Sequence, residues 1–226
     1  LIFSAHGVPQ SVVDETDKLG IKTIDATCPL VAKVHNQIKK LYDEDMEIIV
    51  IGKKKHVEII GTVGQIPSSN KLHIINSKED IEALNINPES KVGFVTQTTL
   101  SVDDTKEIVA ALKQKFPSIS AMRKDDICFA TTNRQKAVKE MAKLAELIIV
   151  IGSKNSSNSK QLKEVALKNG AKNAVLIDDA SELDWALLKE YQTIGITAGA
   201  SAPEYLVQDL LNQLKSRYDN IKIMDV

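Results

Sequence analysis

Several residue types are scarce in this sequence of 226 residues, and each scarcity excludes a class of protein. Two cysteines are too few for the disulfide framework of a small secreted domain. Aromatic residues make up 4% of the chain, which argues against stacking platforms for single-stranded nucleic acid. The net charge of −1 gives no reason to expect nucleic-acid or acidic-membrane partners. We find neither a bilayer-spanning apolar run nor a signal-peptide pattern, so the expected location is cytosolic or an organelle matrix.

The two ends of the sequence suggest a piece of a longer protein. Leu1 opens directly into an apolar strand, and residues 221–226 form another apolar run. Since natural chains rarely begin inside a strand, we expect further segments that the chemistry of the protein needs.

An internal repeat with a period of 100 residues is the most informative feature of what is present. Three segments recur: residues 25–28 at 125–128, residues 48–52 letter for letter at 148–152, and, more weakly, residues 96–101 at 197–201. Two copies of one unit would place both cysteines, Cys28 and Cys128, at equivalent positions. Thiols brought together by a repeat are a way to build a shared metal site.

Short strands rich in isoleucine and valine alternate with amphipathic helices along the chain, which predicts parallel α/β sheets. The predicted strands are Leu1–Phe3, Ile21–Ala26, Glu47–Gly52, Lys71–Ile75, Val92–Thr96, Leu147–Gly152, Ala174–Ile177, Thr193–Ile196 and Ile221–Met224. The predicted helices include Cys28–Leu41, Ser101–Phe116, Thr132–Ala145 and Ala202–Leu214.

The repeat also predicts the domain boundaries. We expect residues 1–20 to be the remnant of a first α/β domain and residues 21–117 and 118–215 to be two complete domains. A C-terminal strand segment at 216–226 would follow. In open parallel sheets, ligands bind beyond the carboxyl ends of the strands, which is where the polar residues of this sequence cluster.

Cys28 and Cys128 are the first candidates for chemistry because each follows a strand and begins a predicted helix. A helix N-terminus stabilises a thiolate, the form that binds iron or zinc. The alternative is that both are buried apolar cysteines, but their equivalence in the repeat favours metal binding. Two thiolates complete no common cluster, so we expect a third cysteine upstream of Leu1.

Other polar residues follow strand ends. A carboxylate two residues from an imidazole, as in His56 and Glu58, can transfer protons. Hydroxyls and amides at 153–159 can cradle an anion at a helix N-terminus. His6, Thr96–Thr99 and Ala200–Pro203 occupy similar positions. Each group could instead be an ordinary cap or a solvated loop, and His35 and His73 are interpreted as packing or surface residues.

Seven segments, in order and spanning nearly the whole chain, resemble the 4-hydroxy-3-methylbut-2-enyl diphosphate reductase (IspH/LytB) family. They are SAHG at 4–7, DATCPLV at 25–31, H-x-E-x-x-GT at 56–62, TQTTLSVDDT at 96–105, RKDDICFATTNRQ at 123–135, GSKNSSNS at 152–159 and TAGASAP at 197–203. The resemblance implies three α/β domains in a pseudo-threefold trefoil, of which two are complete here. It also implies a [4Fe–4S] cluster with one cysteine from each domain.

The resemblance assigns roles to individual residues. Cys28 and Cys128 match the second and third cluster cysteines, and Glu58 matches the acid that delivers a proton to the substrate hydroxyl. Thr98 matches a residue that positions this hydroxyl and the acid. The residues matched to the substrate pocket, mostly around the diphosphate, are His6, His56, Ser156, Ser157, Asn158 and Ser201. The implied partners are an allylic diphosphate and, as electron donor, ferredoxin or flavodoxin, in the cytoplasm or a plastid-type organelle.

Some family features are missing or changed. The first cluster cysteine has no counterpart in this chain, and Val57 stands where a proline is expected. We therefore expect the longer parent protein to be the enzyme and this chain alone to be inactive. A non-redox module that binds a phosphate ligand is the main alternative, and an electron-transfer iron–sulfur protein is a second. Neither alternative needs both the equivalent cysteines and the histidine, acid and serine set.

Overall fold

A computed structural model describes residues 1–87, 89–121, 127–218 and 221–224. The chain divides into two compact units, Leu1–Cys128 and Phe129–Val226. Within each unit all strand pairs are parallel and helices connect the strands. The predicted α/β class is therefore confirmed.

The first unit contains a two-stranded sheet and a four-stranded sheet. Strand order is β1-β2 in the smaller sheet and β4-β3-β5-β6 in the larger one. The elements in chain order are β1 (Ile2–Phe3), α1 (Gln10–Lys18), β2 (Ile24–Asp25), α2 (Pro29–Asp43), β3 (Glu47–Ile51), α3 (Val57–Val63), β4 (Leu72–Ile75), α4 (Glu79–Glu82), β5 (Val92–Thr96), α5 (Val102–Lys115) and β6 (Ser120–Ala121).

The larger sheet lies between two apolar layers because the side chains of β3 alternate between its faces. Ile49 and Ile51 pack in a cluster with Ile108 and Leu112 of α5. On the other face, Ile48 and Val50 pack with residues of α2 and α3, including Val34, Ile38, Leu41 and Ile59. A strand buried on both faces explains the uninterrupted apolar run that the sequence shows here.

The second unit repeats this arrangement with a three-stranded sheet of order β8-β7-β9. Its elements are α6 (Phe129–Ala142), β7 (Leu147–Ile151), α7 (Ser157–Lys168), β8 (Asn173–Ile177), the 3-10 helices η1 (Ala180–Glu182) and η2 (Leu187–Glu190), β9 (Ile194–Ala198) and α8 (Glu204–Arg217). Ile148 and Val150 pack toward α6 and α7, whereas Ile149 and Ile151 pack toward α8.

The backbone hydrogen bonds of the two units confirm the repeat. The amide of Gly52 donates to Ile75 at 2.8 Å, and the amide of Gly152 donates to Ile177 at the same distance. The third recurring segment is shifted from its predicted alignment. Thr96 pairs with Ile51 and Ala198 pairs with Ile151, so Ala198 rather than Thr197 is the counterpart of Thr96.

The predicted strand Ile221–Met224 is wrong. These four residues have no regular structure, and three of their apolar side chains are 40–66% exposed. An apolar run forms a strand only beside another strand that takes up its N–H and C=O groups, and no strand of the described residues pairs with it. No helix of the described residues is long and apolar enough to cross a membrane.

Several boundaries also shift. The predicted helix at Thr132–Ala145 begins earlier, at Phe129, and ends at Ala142. The strand expected at Ile21–Ala26 is reduced to Ile24–Asp25. Ser101 caps α5 as predicted, since its hydroxyl accepts a hydrogen bond from the amide of Asp104 at 3.2 Å.

Candidate functional site

The two cysteines occupy matching backbone positions. Cys28 is the N-cap residue of α2, and its amide donates to the carbonyl of Ala5 at 3.0 Å. The amide of Cys128, the residue before α6, donates to the carbonyl of Thr98, also at 3.0 Å. Ala5 follows β1, which pairs with β2, the strand before Cys28. Thr98 follows β5, which pairs with β6, the strand before Cys128. The sequence repeat therefore corresponds to a repeated local geometry.

Both thiols suit a metal cluster as donors. Neither cysteine is in a disulfide, and both are partly exposed. Each lies at the start of a helix, and cysteine sulfur is a soft ligand that suits iron. Two thiols fill only part of a cluster's ligand set, and the described residues contain no group of three or more metal-binding side chains. Asp125 and Asp126, which align with residues 25 and 26, lie outside the described residues.

A buried carboxyl group, hydrogen-bonded to a threonine, forms the centre of the candidate site in the first unit. Glu58 is 2% exposed, on the first turn of α3. Its Oε1 accepts the backbone N–H of Thr98 at 2.6 Å, and its Oε2 lies 3.0 Å from the Thr98 hydroxyl. Burial raises the pKa of Glu58, and the two hydrogen bonds from Thr98 oppose this rise. The site therefore holds a carboxyl group with an increased tendency to carry a proton.

His56 and His6 lie beside this carboxyl group. His56 caps α3, because its Nδ1 accepts the amide hydrogen of Glu58 at 3.2 Å. The rings of His6 and His56 meet edge to face with their centroids 5.9 Å apart. Burial lowers the pKa of His56, with smaller contributions from the charges of His6 and Lys53. His56 is thereby kept neutral and able to accept this hydrogen bond.

A close helix contact fixes the turn that carries His6. A Cβ atom added to Gly61 of α3 would lie 3.0 Å from the carbonyl oxygen of Gly7 and 3.4 Å from that of His6. The glycine of the H-x-E-x-x-G segment therefore allows the helix to approach this turn.

Val57, where a proline is expected, is the first residue of α3. Either residue fits at that position because no intrahelical hydrogen bond is needed there.

The second unit presents hydroxyls and amides at the ends of β7 and β9. Ser156 caps α7, and its hydroxyl accepts the amide hydrogen of Ser159 at 3.2 Å. Ser157 begins the helix, and Ser201 is exposed beyond β9. Asn158 is 5% exposed, yet neither its Nδ2 nor its Oδ1 has a hydrogen-bond partner among the described residues. An unpaired buried amide is costly and indicates a group that a ligand would satisfy.

The structure thus brings His6, His56, Glu58 and Thr98 together in the first unit and Ser156, Ser157 and Asn158 together in the second. His35 packs as expected, buried against Gly7, and burial lowers its pKa to about 4. His73 lies in β4 and contacts Glu47 at 2.7 Å.

Two polar residues of the strand-end segments were not singled out from the sequence. Gln97 is 1% exposed, and its side chain bonds to the amide of Lys53 and to the hydroxyl of Thr99. Ser159 is fully buried, and its hydroxyl has no hydrogen-bond partner in the part of the chain that the structure describes. Both lie inside motifs that the resemblance uses, but the direction of each side chain depends on the folded backbone that follows the strand end.

Comparison with known proteins matches almost the whole chain to one family. The family model described as LytB protein matches residues 1–215. A 4-hydroxy-3-methylbut-2-enyl diphosphate reductase from Wigglesworthia glossinidia brevipalpis is 52% identical, over 97% of this chain and 70% of the relative. The protein of that description from Ruegeria sp. (strain TM1040) is 48% identical, over 97% of this chain and 69% of the relative.

Two solved structures are also similar. The E-1-hydroxy-2-methyl-but-2-enyl-4-diphosphate reductase from Plasmodium falciparum matches with a TM-score of 0.91 and 41% identity, over 95% of this chain and 67% of that chain. A second structure is described as (E)-4-hydroxy-3-methyl-but-2-enyl diphosphate reductase, the terminal enzyme of the non-mevalonate pathway. It matches with a TM-score of 0.60 and 33% identity, over 95% of this chain and 75% of that chain. The resemblance seen in the motifs is therefore confirmed.

Proposed function

The chain belongs to the LytB protein family, and from this premise we propose that it forms most of a 4-hydroxy-3-methylbut-2-enyl diphosphate reductase. The reaction removes the allylic hydroxyl of the substrate as water. Two electrons and two protons are taken up, one proton by the leaving hydroxyl and one by a carbon of the allyl group. The products are isopentenyl and dimethylallyl diphosphate, according to which carbon receives the proton.

Glu58 is proposed as the source of the proton for the leaving hydroxyl. Its raised pKa lets it carry a proton where an exposed glutamate would have lost it. The 3.0 Å contact between Glu58 Oε2 and the Thr98 hydroxyl gives a path for that proton. When protonated Glu58 donates to Thr98, the Thr98 hydroxyl is free to donate its own hydrogen to the substrate. Thr98 also orients the carboxyl group through its backbone N–H.

The diphosphate is proposed to be bound by hydrogen-bond donors that follow the strand ends. In the second unit, the hydroxyls of Ser156, Ser157 and Ser201 and the Asn158 amide would donate to phosphate oxygens. This role is supported by the unpartnered amide of Asn158 at the N-terminal end of α7. In the first unit, His6 is assigned to the diphosphate and His56 to the pocket that surrounds the substrate.

Cys28 and Cys128 are proposed to hold the [4Fe–4S] cluster that the family resemblance implies. When bound, the cluster supplies the electrons and a Lewis acid for the substrate hydroxyl. The third thiol of that ligand set is not among the 226 residues. We therefore propose that the longer protein, and not this chain alone, turns over. Ferredoxin or flavodoxin as reductant, and a cytoplasmic or plastid-type location, are proposed from the resemblance.

The buried Glu58–Thr98 pair carries the proposal, and Glu58→Gln tests it in the cluster-loaded full-length protein. The variant cannot donate a carboxyl proton, so we expect turnover to fall about 10²–10⁴-fold while diphosphate binding is retained. Glu47→Gln is the matched control, since this partly buried carboxylate of the same unit contacts His73. Wild-type turnover of Glu58→Gln, measured as formation of the two diphosphate products, would contradict the role of Glu58.

A further inference from the structure

Gln97 is a buried side chain that links two segments of the first unit. It follows β5 directly, and its backbone N–H donates to the carbonyl of Ile51 at 2.8 Å. Its side-chain Oε1 accepts the backbone N–H of Lys53 at 3.1 Å, and its Nε2 donates to the hydroxyl of Thr99 at 2.9 Å. The carboxamide therefore ties the start of the β3–α3 connection to the segment after β5.

Gln97 and Thr98 hold the same connection at two points. Gln97 bonds to Lys53 at its start, and Thr98 bonds to Glu58 just after its end. His56 lies between these two points. The Gln97 amide therefore fixes a point of the chain five residues before Glu58.

The second unit shows that the fold does not require this tie. The counterpart of Gln97 in the strand register is Gly199, which has no side chain to form it. The residue aligned with Lys53 in that unit is Ser153, and the amide of the next residue, Lys154, donates to the carboxylate of Asp178 at 3.1 Å. The residue aligned with Glu58 in that unit is Asn158, which cannot supply a carboxyl proton. The glutamine is therefore found in the copy that contains the acid.

We propose that Gln97 is a positioning residue for the Glu58–Thr98 pair. Its carboxamide fixes the β3–α3 connection so that the Glu58 carboxyl stays in contact with the Thr98 hydroxyl. This inference rests on the proposed function for its effect on turnover, and on the hydrogen bonds alone for its effect on the geometry.

Gln97→Met in the cluster-loaded full-length protein tests the inference, since methionine has a similar length and neither hydrogen bond. We expect kcat to fall about tenfold to a hundredfold and kcat/KM by the same factor, with KM unchanged. The fall of kcat at high pH, where Glu58 loses its proton, should move to lower pH. A less fixed β3–α3 connection would admit water to Glu58 and so reduce the rise in its pKa that burial causes. His6 and His56 are the titratable groups beside Glu58, and Lys53 is the charged residue whose amide Gln97 binds.

Hydrogen exchange gives a readout that does not depend on turnover. In Gln97→Met the amides of Lys53 and Thr98 should exchange faster, while that of Gly52, bonded to Ile75, keeps its rate. Faster exchange at Lys53 alone, with Thr98 unchanged, would show that the tie does not reach Glu58 and would overturn the inference. Unchanged kcat in Gln97→Met would overturn it as well.

Two further variants separate positioning from general destabilisation. Gln37→Met removes another buried glutamine of the same unit, on α2, and should leave kcat and its pH profile unchanged. Gln97→Glu keeps an acceptor for Lys53 and should recover part of the lost kcat. If Gln97→Met does not fold, Gln97→Glu is compared with Gln37→Met instead. An equal loss of kcat in these two variants would overturn the inference. Glu58→Gln with normal turnover would instead refute the proposed function.

Discussion

At the scale of single residues, Glu58 is subject to two opposing influences. Burial favours its protonated form, whereas the amide and hydroxyl of Thr98 favour the carboxylate. Burial is the larger effect, so the pKa is raised. A carboxyl group balanced in this way is a poor structural residue and a suitable acid, since the fold gains nothing from keeping it ionised.

The raised pKa predicts how Glu58 affects stability with pH. A glutamate whose folded pKa exceeds its ordinary value of 4.5 destabilises the fold once the pH passes 4.5, and this cost is complete above the raised pKa. Glu58→Gln should therefore raise the melting temperature near neutral pH. The gain should shrink as the pH falls through the raised pKa and disappear below 4.5. Thermal melting of both proteins across that range, with Glu47→Gln as control, measures it, and a gain independent of pH would contradict the prediction.

The residues of the site were predictable to different degrees. His56 and Glu58 are two positions apart, so their proximity follows from the sequence. The contact between Glu58 and Thr98 joins residues 40 positions apart and depends on the pairing of β3 with β5. Only the family resemblance pointed to it. The side chain of Gln97 gave no signal, because which way a residue after a strand end points depends on the loop conformation.

At the scale of elements, the strongest predictions came from β3 and β7. Each is an uninterrupted run of isoleucine and valine buried on both faces, and each was placed within one residue. The strand predicted at Ile21–Ala26 forms only as the two-residue β2, and the two-residue β6 was not predicted. The apolar run at 221–224 failed because composition does not reveal whether a partner strand is available.

The approach of α3 to the turn at His6 and Gly7 predicts the effect of Gly61→Ala. On a free helix surface, alanine would stabilise the fold by about 1 kcal/mol relative to glycine. Here the new Cβ would lie 3.0 Å from a backbone oxygen that cannot rotate away. We expect a loss of about 1–3 kcal/mol in the free energy of unfolding. Denaturant unfolding measures this loss, with Ile60→Ala, an exposed neighbour on α3, as control. A larger free energy of unfolding in Gly61→Ala would contradict the prediction, because it would show that the turn at His6 and Gly7 moves to make room for the methyl group.

At the scale of the whole molecule, the repeat relates the two cysteines. Each lies at the start of a helix, and each has its amide bonded to the segment after a neighbouring strand. This equivalence is a geometric reason to give the two thiols the same role, beyond the family match. The trefoil of three domains stays a prediction.

Iron analysis tests the shared role of the thiols. In the full-length protein, reconstituted without oxygen, we expect about four irons per chain and a loss of most of that iron in Cys28→Ser and in Cys128→Ser. Thr27→Ser, beside Cys28, should keep it. The 226-residue chain alone should hold little iron, because it has two thiols. A full iron content in either serine variant would remove that cysteine from the ligand set.

The alignment of Glu58 with Asn158 shows how a duplicated unit can acquire two functions. One ancestral backbone position now bears a group that gains and loses a proton in one copy and a group that stays neutral at all physiological pH values in the other. With the roles proposed above, the pKa of the acid in the first copy can change while the residue at the equivalent position of the second copy, which faces the anion, keeps the same charge. With these proposed roles, duplication would let proton supply and anion affinity evolve separately within one polypeptide.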